Sequence, residues 1–281
     1  MHLPLLPAVL LAFLLSHAAP LSHAKNTTCD EHRYEHLPSV AGGPRVVVVG
    51  ELHGTREILR IAAAYLCHLV ATGKPVLLGL EIPADEQVAI NTYMESTGRR
   101  EDRAMLASTR FWSKNRDGRA SAGYFGLIET ARGLRAEGKP IAVFAYGVHA
   151  DALPIPLTGE EPMWTGIGEV IMARNIEIRV RQYANHAFLV VTGDIHARKT
   201  RGTHGNHEFE PMAYLLSQRF PVVAMAFSDD GGTAWTCQGS SPKTMSCGQH
   251  DITPWSNRQD SAYDVILPAG TLTASPPWNG E

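Results

Sequence analysis

The chain offers no net positive charge: 25 Lys and Arg against 28 Asp and Glu leave a formal charge of −3. Without a positive field to collect phosphates, nucleic-acid binding is not expected, and bulk charge names no other partner. Long hydrophobic runs are missing as well. The N-terminal apolar stretch Leu3 to Leu15 is broken by Pro4 and Pro7 and falls short of the roughly 20 residues a helix needs to cross a bilayer. No transmembrane anchor is therefore expected. Several familiar catalytic signatures are also absent: no Gly-x-Ser-x-Gly elbow, no His-Glu-x-x-His helix, no Cys-x-x-Cys pair and no Walker loop. Gly166-Ile167-Gly168 lacks the third glycine of a dinucleotide fingerprint.

What is there is an ordinary globular composition, 44% hydrophobic and 19% charged with 25 Gly and 18 Pro, which excludes a disordered, collagen-like or coiled-coil chain. The stretch Leu3 to Leu15 fits the apolar region of a secretory leader, although no Lys or Arg precedes it. Small residues at Ser22-His23-Ala24 place cleavage after Ala24, with Ala18 or Ala19 as alternatives. The expectation is a signal peptide over 1–24, a single domain over 25–281, and a periplasmic or secreted location. Four cysteines fit that compartment. Cys237 and Cys247 flank a Gly/Ser/Pro-rich loop and are expected to pair, leaving Cys29 with Cys67 among the three connectivities four cysteines permit. Asn26-Thr27-Thr28 is a glycosylation sequon.

A helix, a Gly-Lys-Pro stop and a short apolar run recur twice. Ile58, Ala62, Tyr65, Leu66 and Leu69 lie on one helical face ahead of Gly73-Lys74-Pro75 and Val76 to Leu80; Leu127 to Ala136 leads into Gly138-Lys139-Pro140 and Ile141 to Ala145. With Arg45 to Val49, Phe188 to Thr192 and Val222 to Phe227 this gives five core strands, mostly alternating with helices. The expected fold is α/β, a three-layer sandwich with a mainly parallel central sheet. Asp229-Asp230-Gly231-Gly232 reads as a hairpin turn into Thr233 to Cys237, and Tyr263 to Leu267 as a last strand, so the C-terminal strands are expected to be antiparallel. Residues 84–121 form a helical insertion rich in arginine (Arg99, Arg100, Arg103, Arg110, Arg116, Arg119). The interspersed Glu95, Glu101, Asp102 and Asp117 favour a solvated helical face over a lid.

In an open parallel sheet ligands bind where strands end at their carboxyl edge. Four strand exits carry titratable groups: Gly50-Glu51-Leu52-His53-Gly54; Glu81; Tyr146 with His149; and Gly193-Asp194-Ile195-His196. Singly each is weak, because a carboxylate there often caps a helix and a histidine is often satisfied by backbone. Together they imply one pocket. Glu51, His53, Glu81 and His196 make a set suited to a divalent metal (manganese, zinc or cobalt) or to metal-free acid and base chemistry.

These residues carry a resemblance. Val46 to Val49 entering Gly50-Glu51-Leu52-His53-Gly54-Thr55, then Gly79-Leu80-Glu81, then Gly193-Asp194-Ile195-His196-Ala197, resembles the superfamily of erythromycin esterases, the haem-uptake protein ChaN, and the TraB and Tiki proteins. Its signature is two Gly-x-x-His motifs with an intervening Glu. The resemblance implies an α/β sandwich with functional positions at Glu51, His53, Glu81 and His196. In its esterase branch a first-motif histidine activates water; its Tiki branch implies a metal-dependent protease; its ChaN branch implies haem binding. The superfamily's arginine corresponds to Arg56 or Arg119.

The expected function is thus an exported, metal-dependent hydrolase of an ester or amide bond in a small-molecule or peptide substrate. The two imidazoles and Glu51 or Glu81 would hold the metal while the other carboxylate takes the proton, and Asp194 would orient His53 or His196. A metal-free variant makes His53 the base. The alternatives are a haem or iron carrier using Tyr146, His149 or the His204/His207 loop, and a catalytically silent secreted binding protein. Surface positions are the expectation for His204 and His207.

Overall fold

The computed structural model describes residues 27–30, 46–149, 166–203, 206–239, 245–255 and 260–281. The expected leader, its cleavage sites, Asn26 and His204 lie outside them. Six strands form one sheet in the order β3-β2-β4-β1-β5-β8, every neighbouring pair parallel. They are β1 (Val46–Glu51), β2 (Val76–Pro83), β3 (Ile141–Gly147), β4 (Ala187–Gly193), β5 (Val222–Ser228) and β8 (Val265–Pro268). The first two are buried throughout, as unbroken apolar runs demand when helices cover both faces.

Alternation along each strand sends neighbouring side chains to opposite layers. Val47 and Val49 face one core with Leu78, Leu80, Leu189 and Val191, beneath helices α2 (Glu57–Ala71) and α6 (Ala122–Ala136). Val46 and Val48 face the other with Phe188, Val190 and Ala224, beneath α7 (Gly166–Gln182) and α8 (Met212–Ser217). The apolar stripe from Ile58 to Leu69 is buried as its spacing requires. The chain leaves β1 toward the first layer and β4 toward the second, although β1 and β4 are neighbours. That divergence opens a crevice above them.

The expected antiparallel character of the C-terminal strands holds for β6 (Gly232–Gln238) and β7 (Ser246–Ile252), which form a separate two-stranded sheet. Two details differ. The turn at Asp229–Gly232 does not fold β6 back onto β5, because β8 takes that edge and runs parallel to it. β6 instead leaves the sheet and bonds to Gly54, whose carbonyl accepts the Trp235 N–H at 2.9 Å. Both disulfides, Cys29–Cys67 and Cys237–Cys247, pair as expected.

The insertion folds into α3 (Gln87–Met94), α4 (Arg100–Ala107) and α5 (Arg110–Lys114), and it is packed rather than merely solvated. Ile90, Tyr93, Leu106, Phe111 and Trp112 are buried. Trp112 meets Trp278 edge to face, and Phe125 stacks on Trp278 at 3.6 Å. Arg99, Arg100, Arg110 and Arg116 remain exposed, as a charged outer face would be. Among the described residues no helix is long and apolar enough to cross a membrane.

Candidate functional site

The parallel register sets Glu51 beside Gly193, so the exits of β1 and β4 lie side by side. At the first exit, His53 turns back and its Nδ1 lies 2.5 Å from Glu51 Oε1. At the second, the His196 N–H donates to the Gly193 carbonyl in a tight turn, and its Nδ1 lies 2.5 Å from Glu169 Oε1. Glu169 comes from the first turn of α7 and its other oxygen accepts the Met212 N–H at 2.7 Å. Each imidazole thus has a carboxylate fixing Nδ1, which aims Nε2 the other way. Gly193 separates the rings. A Cβ at that position would stand 3.0 Å from His53 Nε2 and 3.2 Å from His196 Cδ2, so any larger residue would displace an imidazole.

Glu81, at the end of β2, is buried beside both. Its Oε2 accepts the Thr192 hydroxyl at 2.6 Å and the Gly193 N–H at 2.9 Å. Its Oε1 accepts Arg119 Nη1 at 2.9 Å and lies 3.8 Å from His196 Nε2. Arg119 is held in turn by Asp117, 2.6 Å from Nη2 and 3.0 Å from Nε. The Tyr124 hydroxyl accepts the Glu81 backbone N–H at 2.8 Å.

Burial would lower the affinity of His53 for a proton. The charge of Glu51 and its hydrogen bond, with Glu81 and Asp117 behind, overcome this and raise the imidazole to about 9. Burial raises the Glu51 carboxyl against the opposing pull of His53. Burial would likewise raise Glu81, but His196, Arg119 and His53 hold it down at about 2. His196 is raised by Glu81 and Glu169 against its burial and the charge of His53. Asp117 is lowered, chiefly by Arg119, against the pull of burial.

Glu51, His53, Glu81 and His196 therefore do meet in one place, joined by Arg119. Arg56 does not: it lines a groove between α2 and α6 instead. Asp194 contributes through its backbone, its N–H donating to the Glu51 carbonyl and its carbonyl accepting the Tyr263 hydroxyl. The carboxylates on the two Nδ1 atoms are Glu51 and Glu169. Glu169 and Asp117 were not singled out by sequence. Asp117 stood two residues before Arg119 in a run of mixed charge, and the partnership of Glu169 with His196 exists only in space.

A four-ligand metal centre does not fit this donor set. Glu81 faces a guanidinium on one oxygen and two hydrogen-bond donors on the other, and Glu51 has its Oε1 taken by His53, which leaves Oε2 as its one uncommitted oxygen among the described residues. A divalent ion at Glu81 would sit against the Arg119 cation. Among the described residues no group of three or more His, Cys, Asp and Glu forms a metal-binding cluster. The haem ligands fare no better. Tyr146 is fully buried, burial raises its hydroxyl far above the usual range, and that hydroxyl donates to the Val191 carbonyl at 2.7 Å. His149 lies 3.2 Å from Asp85, and His207 is exposed on a surface turn, as expected.

The α/β sandwich is an erythromycin esterase-like fold, as solved structures show. The chain is similar to a His-to-Asn mutant of the erythromycin esterase EreC in its open conformation, with a TM-score of 0.55, 16% identity, and coverage of 76% of this chain and 77% of that one. It is similar to a Bacillus cereus protein with a TM-score of 0.50 and 12% identity over 84% and 90% of the two chains. The haem-binding ChaN of Campylobacter jejuni aligns at a TM-score of 0.39 and 10% identity over 66% of this chain and 82% of that one. No protein family matches the sequence, and no curated protein matches it either. These likenesses establish the fold.

Proposed function

We propose that the protein is an exported hydrolase that cleaves an ester or amide bond with water activated by a histidine, without a metal in the attacking step. The observation that carries this reading is the pair of His–carboxylate dyads converging on Gly193. Once deprotonated at Nε2, His53 takes a proton from water while Glu51 keeps the ring in the tautomer with Nδ1–H. The oxygen of that water adds to the substrate carbonyl. His196, whose hold on a proton Glu81 and Glu169 strengthen against its burial, gives a proton to the departing alkoxide or amine as the carbon–heteroatom bond breaks. Glu81 and Arg119 position these groups, since both are fully engaged with their neighbours. Two disulfides support passage through an oxidising compartment, and with it the proposed leader.

Purified protein offered a panel of p-nitrophenyl esters and anilides tests the reading. His53→Ala is expected to lower kcat/KM by about 10²–10⁴-fold with an unchanged far-UV spectrum. Wild-type inertness across the panel, or full activity in the variant, would remove it.

A further inference from the structure

The hairpin β6–β7 touches the site from outside at two points. The Trp235 N–H donates to the Gly54 carbonyl at 2.9 Å, one residue beyond His53. The Trp235 indole Nε1 donates to the Arg116 carbonyl at 3.2 Å, and its own carbonyl presses on Gly118, between Asp117 and Arg119. Both loops accept this contact through glycine. A Cβ on Gly54 would lie 1.9 Å from the Trp235 carbonyl oxygen and one on Gly118 2.5 Å, and both residues hold positive φ, +73° and +99°. One residue of β6 therefore spans the His53 loop and the Arg119 loop.

The first strand of the hairpin is also tied to the Leu272 segment, the Thr233 N–H donating to the Leu272 carbonyl at 2.9 Å, but β7 is largely exposed, and two strands alone are marginal in water. Cys237 and Cys247 sit directly opposite each other and close the ladder covalently. Cys247 is exposed, whereas Cys67 of the other disulfide is buried at 8%. A dissolved thiol therefore reaches the hairpin bond first.

We infer that the disulfide-closed hairpin is a clamp in which Trp235 is a positioning residue for His53 and Arg119, so that opening Cys237–Cys247 disables the site while leaving the sheet folded. This rests on the hydrolytic reading above. In the opening step a dithiol attacks the disulfide, its two thiols end as a cyclic disulfide, and Cys237 and Cys247 each leave as a thiol.

The test reduces the full-length mature protein with dithiothreitol under conditions that spare Cys29–Cys67, confirmed by peptide mapping, and removes the reagent before assay. Three readings follow: p-nitrophenyl ester hydrolysis, amide exchange at Trp235, and the ring nitrogen signals of His53 and His196. Expected are a fall in kcat of about tenfold or more with KM nearly kept, faster exchange at Trp235, shifted ring signals, and recovery of all three on reoxidation. Cys237→Ala/Cys247→Ala should match the reduced state and ignore the reagent; Cys29→Ser/Cys67→Ser should still respond to it. Unchanged ring signals and exchange after reduction would overturn the clamp, whatever the activity. So would loss of the far-UV signal together with activity, since the bond would then hold the fold and not the site. A protein inert in both redox states contradicts the hydrolytic reading, and the clamp is then decided by the ring and exchange signals alone.

Discussion

The exits of β1 and β4 look alike in sequence, each a glycine with a histidine three residues on, yet they are built differently. The first is self-contained. Glu51 lies two residues from His53, and among the described residues its second oxygen is buried without a partner. The second is assembled from afar. Glu169 reaches His196 from α7 and also holds the first N–H of α8. His53 is the more open ring, its side chain 22% exposed against 9% for His196. A dyad with one duty tunes a proton; a dyad with two also holds helices together. That difference suits His53 to meeting water and His196 to a fixed place between α7 and α8.

The guanidinium between Glu81 and Asp117 is where interference should cost most. Arg119→Ala removes the cation those two carboxylates share, one of them deeply buried, and is expected to lower unfolding free energy by about 3–5 kcal/mol. Urea titration measures this, and a loss under ~1 kcal/mol would show that the guanidinium does not hold Glu81 and Asp117 in place. Glu169→Gln comes next, with an expected cost of about 1–3 kcal/mol because a buried acceptor of two donors is altered. Glu51→Gln should cost less than Glu169→Gln, since Glu51 serves one partner and Glu169 two. Equal losses in the two variants would erase the contrast between the dyads.

A smaller effect concerns pH. The folded pKa of His53, about 9, lies above its unfolded value. Its stabilising contribution is therefore complete below about 6.5 and is lost as pH rises through 9. Thermal melts of wild type should fall between pH 7 and 10 more steeply than those of His53→Gln. Parallel curves would assign the alkaline loss to other groups.

Much of this was legible because it is local. Unbroken runs such as Val46–Val49 mark buried strands, and a strand's last residues fall at the binding edge, so Glu51, His53, Glu81 and His196 follow from periodicity. Partnerships between distant elements were not legible. Nothing around Glu169 announces His196, 27 residues away. Arg56 was as plausible as Arg119 until the loop at 115–119 was seen to turn inward. The hairpin expected after β5 failed because strand propensity cannot say which segment takes a free edge; β8 took it, and β6 was left to bond with Gly54. The expectation of a metal rested on the number of donors; the cation that Arg119 places against Glu81 exists only in space.

The most direct measurement is the pH dependence of kcat/KM for ester hydrolysis in wild type, Glu51→Gln and Glu169→Gln. The account predicts a rising limb near 9 in wild type, as His53 loses its proton. That limb should move to lower pH in Glu51→Gln, where the carboxylate retaining the proton is gone, and stay in place in Glu169→Gln. A limb unmoved by Glu51→Gln would contradict the assignment of His53 as the base.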